Sequence, residues 1–333
     1  MAHLVSILIP CYNAEKWLKQ TIDSALSQAW PNKEIIIVDD GSTDHSLKIA
    51  KQYESVKVKV ISQENRGGSA ARNNAYKYAQ GDYIQWLDAD DILAPDKIER
   101  QMKASERLGN SRILLSSPWA EFYYQPHIAK FVKSNLWQNL DPVEWLVIKF
   151  NEHVYMTNNT WLVSRELTEL AGPWDERLLR DQDGEYFCRV VAASEKVMYV
   201  PEANAYYRRS SPKSVSGGLS KKAKESEFLS KTLCISYLRS LEDSERTRKA
   251  CLIFLKNGFG YHHLKQSSII QQASALAKEL GGELTPAVPK PGLRVARAIL
   301  GRSSAEKTRR LAWVLKVLIK ANWDRLLYEL SKK

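Results

Sequence analysis

Residues 34–40 read EIIIVDD, a β-branched run with no polar break before its two aspartates. A strand with one wet face alternates apolar and polar residues, so a run that is apolar throughout must be covered on both faces. VSILIP (Val5–Pro10) and Tyr83–Leu87 are similar runs, and Val56–Ile61, which alternates Val with Lys, reads as a strand with one solvated face. Helical patterns lie between them. Trp17, Leu18, Ile22, Ala25 and Leu26 recur at helical spacing within Glu15–Ala29. A second helix follows the turn Gly41-Ser42-Thr43-Asp44 and runs to about Tyr53, and a third runs from Gly67-Gly68-Ser69 to about Ala79. This order predicts an α/β fold with a mostly parallel sheet covered by helices on both faces. Ligands of such sheets bind beyond the carboxyl ends of the strands. Those ends read Cys11-Tyr12-Asn13, Asp39-Asp40-Gly41 and Asp88-Ala89-Asp90-Asp91.

Three carboxylates in four positions, Asp88 to Asp91, repel one another unless something offsets their charge. No His or Cys adjoins them, so a cation there meets hard oxygen donors, which suit Mg²⁺ or Mn²⁺ better than zinc. Such an ion would also bring positive charge to a diphosphate. The alternative is a solvated acidic turn with Asp91 or Asp96 as a helix cap. Asp39 and Asp40 can accept the imide N–H of a pyrimidine, or can simply make a turn with the Gly-Ser that follows. The glycine pair of ENRGGSAARNNA permits close backbone approach at the start of a helix, where phosphate binds well. It matches neither GxGxxG nor GxxxxGK[ST].

Four segments in this order, SILIPCYNAEKWLKQTIDSALSQ, EIIIVDDGSTDHS, ENRGGSAARNNA and GDYIQWLDADD, closely resemble the inverting family 2 glycosyltransferases. The resemblance is strong over residues 4–100 and looser over 101–209. It implies a GT-A fold, a nucleotide-diphosphate sugar as donor, a divalent metal (Mn²⁺ or Mg²⁺) and hexosyl-type transfer. Pro10, Tyr12 and Asn13 match the first nucleotide-binding loop. Asp40, with Asp39 beside it, matches the acid on the base and points to a UDP-sugar. Arg72 matches the arginine of the Ala-Arg-Asn segment near the nucleotide. Asp88-Ala89-Asp90 matches the DxD motif, with Asp90 as the metal ligand and Asp91 as the alternative. GPWDERLLRDQDGEYFCRV resembles the family's Gly-x-Phe-Asp-Glu segment, which is followed by Glu-Asp and a helix ending in Arg. There Asp183 aligns with the general base and Arg189 with the helix arginine. Gln182 departs from the family's Glu, and Asp181 and Glu185 compete for the base role. A catalytically inactive nucleotide-sugar or glycan binder on the same fold is the alternative function.

Farther along, Ile113–Ser117, Glu121–Tyr124 and Thr160–Val163 read as strands. Asp141–Phe150 and Asp181–Ala193 read as helices, and Val197–Val200 as the last strand. Arg208 and Arg209, after that strand, either reach the diphosphate or face solvent. Trp161 and Trp174 either wall an acceptor sugar or pack in the core. Ser210–Gly218 reads as a loop and all beyond it as helical, interrupted at Gly281-Gly282 and by Pro286, Pro289 and Pro291. The expected units are a glycosyltransferase domain over 1–218 (1–100 for the donor, 101–218 for the acceptor) and a helical region over 219–333.

The formal net charge is +11. Residues 290–333 hold twelve Lys or Arg against three acids, an excess of nine, so the rest of the chain carries +2. The charge belongs to one segment, without a nucleic-acid motif, and no nucleic-acid partner is expected. Within 306–330, Leu311, Val314, Leu315, Leu318 and Leu326 share a helical face, with Arg309, Arg310, Lys316 and Lys320 roughly opposite and Trp313 beside them. That face either lies on an anionic membrane or packs on the preceding helices. The four cysteines, Cys11, Cys188, Cys234 and Cys251, form no CxxC pair, which speaks against structural zinc and for a reducing compartment. No signal peptide or spanning helix is expected. The protein is expected in the cytoplasm, in contact with the cytoplasmic membrane face if the 306–330 helix binds lipid. The acceptor is expected to be a glycan or a lipid-linked glycan.

Overall fold

The computed structural model describes residues 2–131, 133–209, 220–258, 268–284 and 302–330. The first part of the chain runs β1 (Val5–Cys11), α1 (Leu18–Leu26), β2 (Lys33–Asp40), α2 (Ser46–Lys51), β3 (Val58–Gln63), α3 (Gly68–Tyr78) and β4 (Tyr83–Trp86). The four strands are parallel in the order β3-β2-β1-β4. Asp39 lies opposite Cys11 and Trp86 opposite Leu8, so the polar ends of β1, β2 and β4 emerge together at one edge.

The unbroken apolar runs have a direct cause. Leu8, Ile36, Val38, Ile84 and Trp86 face a core cluster that includes α3. Their neighbours Ile7, Ile9, Ile35 and Ile37 face a second cluster with α1. Both faces are dry, so neither can accept the alternating polar residues of a half-solvated strand.

The chain continues with β5 (Ile92–Leu93), α4 (Lys97–Leu108), β6 (Ile113–Ser116), β7 (Trp119–Phe122), β8 (Lys130–Phe131), α5 (Pro142–Glu152), β9 (Val163–Ser164), α6 (Arg165–Ala171), α7 (Gln182–Ala193), β10 (Lys196–Tyr199) and β11 (Ala205–Arg208). β9 closes the main sheet antiparallel to β4. β10 pairs with β6, and β5-β11-β7-β8 form a small mixed sheet. Two expectations are corrected. The strand expected at Thr160–Val163 begins at Val163, after a 3₁₀ turn at Asn158–Thr160. Tyr206-Tyr207-Arg208 does not follow the last strand but is one, parallel to β7 and antiparallel to β5.

Beyond residue 219 the described elements are all helical: α8 (Lys221–Leu241), α9 (Glu245–Gly258), α10 (Ser268–Glu279) and α11 (Arg302–Leu330). The loop at Ser210–Gly218 and the prolines at 286, 289 and 291 lie outside the described residues. Cys234, Leu238, Cys251, Leu255 and Ile269 belong to the same core cluster as Trp145, Trp161 and Phe187. The division expected at 218/219 therefore separates no two cores, since α8, α9 and α10 complete the core of the sheet domain. All four cysteines are buried and free.

Candidate active site

The loops after β1 and β2 are sewn together. Asn13, held at φ 48°, donates its N–H to Ser42 Oγ (3.0 Å) and accepts from Thr43 N (2.8 Å) through its side chain. Ala14 N donates to Ser46 Oγ, Glu15 N to Asp44 Oδ2, and His45 N to Glu15 Oε2. The result is a fixed wall from which Tyr12, 52% exposed, projects into solvent.

Asp39 and Asp40 lie behind that wall, both almost fully buried. Asp39 Oδ2 accepts from Ser42 N, while its Oδ1 is enclosed without a partner. Asp40 accepts from Gln63 Nε2 (2.7 Å), Arg66 N (2.9 Å) and Gly67 N (2.8 Å). Gly67 has φ 90°, a conformation that glycine adopts without strain. Asp40 thus pins the turn that launches α3, with three of its roughly four acceptor sites taken.

Arg72 on α3 is the centre of the site. Its Nη2 donates to Asp88 Oδ1 (2.6 Å) and its Nη1 to Gln182 Oε1 (3.1 Å). Its guanidinium lies 4.5 Å from the centroid of the Trp174 ring. One buried fork therefore joins α3, the acidic turn and the start of α7. Gln182, which breaks the family pattern, serves here as an acceptor for Arg72.

The three clustered aspartates separate by environment. Asp88 is neutralised by Arg72 and also accepts from Asn158 Nδ2 (2.9 Å). Asp91 is fully buried; its Oδ1 accepts from Arg208 N (2.8 Å), and its Oδ2 is enclosed without a partner. Burial, reinforced by the charges of Asp90 and Asp88, pushes the Asp91 carboxyl well above its ordinary range. Asp90 is half-buried at the rim of the turn. Among the described residues no three His, Cys, Asp or Glu side chains converge as a metal cage. Asp88 already has its cation in Arg72, and Asp91 lies behind the turn, which leaves Asp90 as the carboxylate at the rim. What fits Mg²⁺ or Mn²⁺ is a smaller oxygen-only set, one rim carboxylate completed by diphosphate and water.

Arg208, read as either reaching a diphosphate or facing solvent, does not face solvent. It is 1% exposed, and its guanidinium stacks on Trp17 (4.0 Å to the centroid) and Phe122 (4.3 Å). It donates to Asp90 O, Tyr123 O and Gln20 Oε1, each at 2.7 Å. It braces the acidic turn from behind. Arg209 pairs with Glu121 at 2.6 Å and stays near the surface.

Asp183 sits in the first turn of α7, half-buried. Burial raises its carboxyl pKa, and the charges of Asp181 and Asp88 raise it further, against the lowering pull of Arg72 and Lys149. That pattern places Asp183 within the field of the acidic turn. Its competitors are occupied. Asp181, at φ 59°, accepts from Ser230 Oγ (2.6 Å) on α8. Glu185 is 1% exposed and held by Arg189 and by Tyr237 Oη (2.7 Å). Trp161 and Trp174 are buried core residues, stacked on Phe187 and Tyr186 respectively. A cavity of about 1020 Å³ opens on the flank of this centre, between α3, the 172–177 loop and α7, and its walls include Trp174, Tyr186 and Tyr237.

The model of "Glycosyl transferase family 2" matches residues 6–162. An uncharacterized glycosyltransferase of Methanocaldococcus jannaschii is 31% identical over 211 residues, 62% of this chain and 70% of its own length. The chain belongs to glycosyltransferase family 2. Another relative of this family 2 member, the putative teichuronic acid biosynthesis glycosyltransferase TuaG of Bacillus subtilis, is 44% identical over 103 residues, 30% of this chain and 41% of its own length. The chain spans 41% to 59% of the length of several such curated relatives. Among solved structures, that of S. aureus TarS 1–349 in complex with UDP-GlcNAc superposes with a TM-score of 0.64 at 17% identity, covering 83% of this chain and 80% of that one. The likeness is one of fold, and the family 2 member has the GT-A architecture.

Sequence reasoning missed Asn158 as a partner of Asp88, Gln182 as a partner of Arg72 and Gln20 as a partner of Arg208. Asn158 lies in a segment with no motif, Gln20 lies in the first motif segment at a position to which the motif gives no role, and each meets its partner only through the fold. Gln182 carried a signal: a neutral acceptor replacing an acid opposite an arginine.

Proposed function

We propose that the chain is an inverting glycosyltransferase that moves a sugar from a UDP-sugar to a hydroxyl of a glycan or lipid-linked acceptor in cell-surface polysaccharide synthesis. The observation that carries this reading is Arg72, which bonds the acidic turn through Asp88 and the start of α7 through Gln182. Donor-facing and base-bearing elements are thus held as one unit. The UDP-GlcNAc complex of TarS puts UDP-sugars first among donors to test, and the teichuronic acid role ascribed to TuaG favours a surface polysaccharide.

In this reading Pro10, Tyr12, Asn13, Asp39 and Asp40 form the nucleotide side, with Ala89 leaving room between Asp88 and Asp90. The acceptor hydroxyl gives its proton to an Asp183 carboxylate oxygen as its own oxygen attacks C1 from the face opposite the UDP leaving group, which inverts that carbon. The first turn of α7 favours a negative charge on Asp183. A divalent ion, when bound, would supply positive charge to the departing diphosphate, with Asp90 as its protein ligand. Arg72 adds a fixed cation nearby and keeps Asp88 paired. A lipid-linked acceptor fits a peripheral contact of residues 306–330 with an anionic membrane.

The test is Asp183→Asn, assayed with a panel of UDP-sugars. It is expected to bind UDP with Mn²⁺ as the parent does and to lose transfer. Unchanged turnover removes Asp183 from the base role, and a parent that neither transfers nor hydrolyses any donor favours a binding protein instead.

A further inference from the structure

α11 packs on the sheet domain by a narrow edge. Asp324, almost fully buried, accepts from Tyr124 N (2.8 Å) and from Gln125 Nε2 (3.0 Å). Tyr328 Oη accepts from Gln20 Nε2 at 3.0 Å, and its ring lies 5.9 Å from that of Tyr124. Val314, Val317 and Ala321 are half-buried along the same edge. The apolar face of α11 does not pack inward: Leu311, Leu315, Ile319, Trp323, Leu326 and Leu330 are all exposed, Ile319 by 68% and Trp323 by 63%. At 3.6 residues per turn these six fall within an arc of about 120°. A contiguous apolar face of that extent on a soluble surface marks an interaction site.

The chemistry of the segment selects the partner. Exposed Lys320 and Arg325 lie on the same helix, and residues 290–333 carry an excess of nine positive charges. An apolar face with an interfacial tryptophan in a strongly basic segment suits an acidic phospholipid surface. A second copy of the chain would bring the same positive charge against itself. Among the described residues no helix is long and apolar enough to cross a membrane, so α11 would lie in the interface.

The inner edge of α11 leads to the acidic turn. Gln20, whose amide donates to Tyr328, accepts from Arg208 Nη2 through its Oε1, and Arg208 Nε donates to Asp90 O. Arg208 N also holds Asp91 Oδ1. We propose that α11 is a strap that docks on an anionic bilayer and, when seated, fixes the Asp90–Asp91 turn through Tyr328, Gln20 and Arg208. Gln20 and Tyr328 are then positioning residues for donor binding. This rests on the donor site proposed above. The sign follows from the packing. A long helix held by so thin an edge opens easily in water, and a bilayer that covers its apolar face favours the seated helix and hence the braced turn.

The experiment titrates UDP with Mn²⁺ into the full chain calorimetrically, without vesicles, with phosphatidylcholine vesicles, and with vesicles that also contain phosphatidylglycerol. Anionic vesicles are expected to raise UDP affinity by about fivefold or more, and by reciprocity UDP with Mn²⁺ raises vesicle affinity by the same factor. Tyr328→Phe keeps the ring and loses only the hydroxyl contact; it is expected to sediment with anionic vesicles as the parent does while losing the gain in UDP affinity. Leu326→Glu is expected to lose vesicle binding. Equal UDP affinity with and without anionic vesicles overturns the coupling, as does a Tyr328→Phe variant that keeps the gain. Self-association abolished by Leu326→Glu, with no vesicle binding by the parent, overturns the choice of partner. Absence of UDP binding under every condition refutes the donor site itself, a separate result.

Discussion

Replacing Arg72 tests whether the fork that joins three segments also sets the proton affinity of the proposed base, Asp183. Arg72→Met removes a charged hydrogen bond to Asp88, a bond to Gln182 and the contact with Trp174. These are worth about 2 kcal/mol, about 1 kcal/mol and about 1 kcal/mol respectively. Methionine returns about 1 kcal/mol by packing on the exposed indole face. The net loss is about 3 kcal/mol, which for a chain of this size lowers Tm by roughly 4 °C. The kinetic effect has a defined sign. Arg72 is a cation that pulls the raised Asp183 pKa down, so without it the carboxyl holds its proton to higher pH. The acid limb of the kcat profile therefore moves to higher pH in Arg72→Met. Arg72→Lys keeps the charge but lacks the planar fork and the stacking on Trp174; it is expected to lose stability while its acid limb stays near that of the parent. The assay is sugar transfer at saturating donor across pH, with calorimetry on each protein. A folded Arg72→Met enzyme whose acid limb overlays the parent's would refute the electrostatic link between Arg72 and Asp183.

Asp90→Ala is expected to abolish the Mn²⁺-dependent part of UDP binding in a titration; a variant that retains it shifts the ligand to Asp91. Gly184→Ala puts a Cβ into the Asp181 carboxylate and disturbs its bond to Ser230. Despite the better helix propensity of alanine, it is expected to lower stability by about 1–3 kcal/mol in urea unfolding, and an unchanged midpoint contradicts the close approach. Lys97 is fully buried, donates to Gln85 Oε1 and Trp161 O, and burial holds its pKa well below the usual 10.5. The unfolded chain keeps that proton up to 10.5 and the folded chain releases it earlier, so stability rises with pH between the two values. Lys97→Met is expected to flatten that rise in urea midpoints measured up to pH 10.5, and an identical slope in both proteins refutes the assignment.

The sheet was legible because its cause is local: Ile35, Ile36 and Ile37 alternate between two dry cores, and hydrophobicity records both. The acids at the strand ends were legible for the same reason, since strand ends are set by where the apolar run stops. Their individual environments were not. Nothing near Asp88 in sequence shows that Arg72 and Asn158 hold it, and nothing near Asp91 shows Arg208 behind it. Arg208 was misread because AYYR is short and amphipathic, and its place between β5 and β7 depends on partners more than 80 residues away. The direction of the α11 face was not legible because a helical wheel identifies an apolar stripe without saying which way it points. Here a carboxylate, Asp324, faces the domain instead.

The shared core of the sheet and the later helices bears on how this protein can be cut and recombined. Sequence motifs end near residue 209, which invites exchange of everything beyond as a specificity cassette. Such a chimera would strip Cys234, Leu238, Cys251 and Leu255 from the flank of α5 and α7 and remove the Ser230 hydroxyl that holds Asp181 beside the proposed base. Fragments intended to fold, crystallise or be grafted onto a related scaffold should carry the chain through residue 284, with the junction placed after α10.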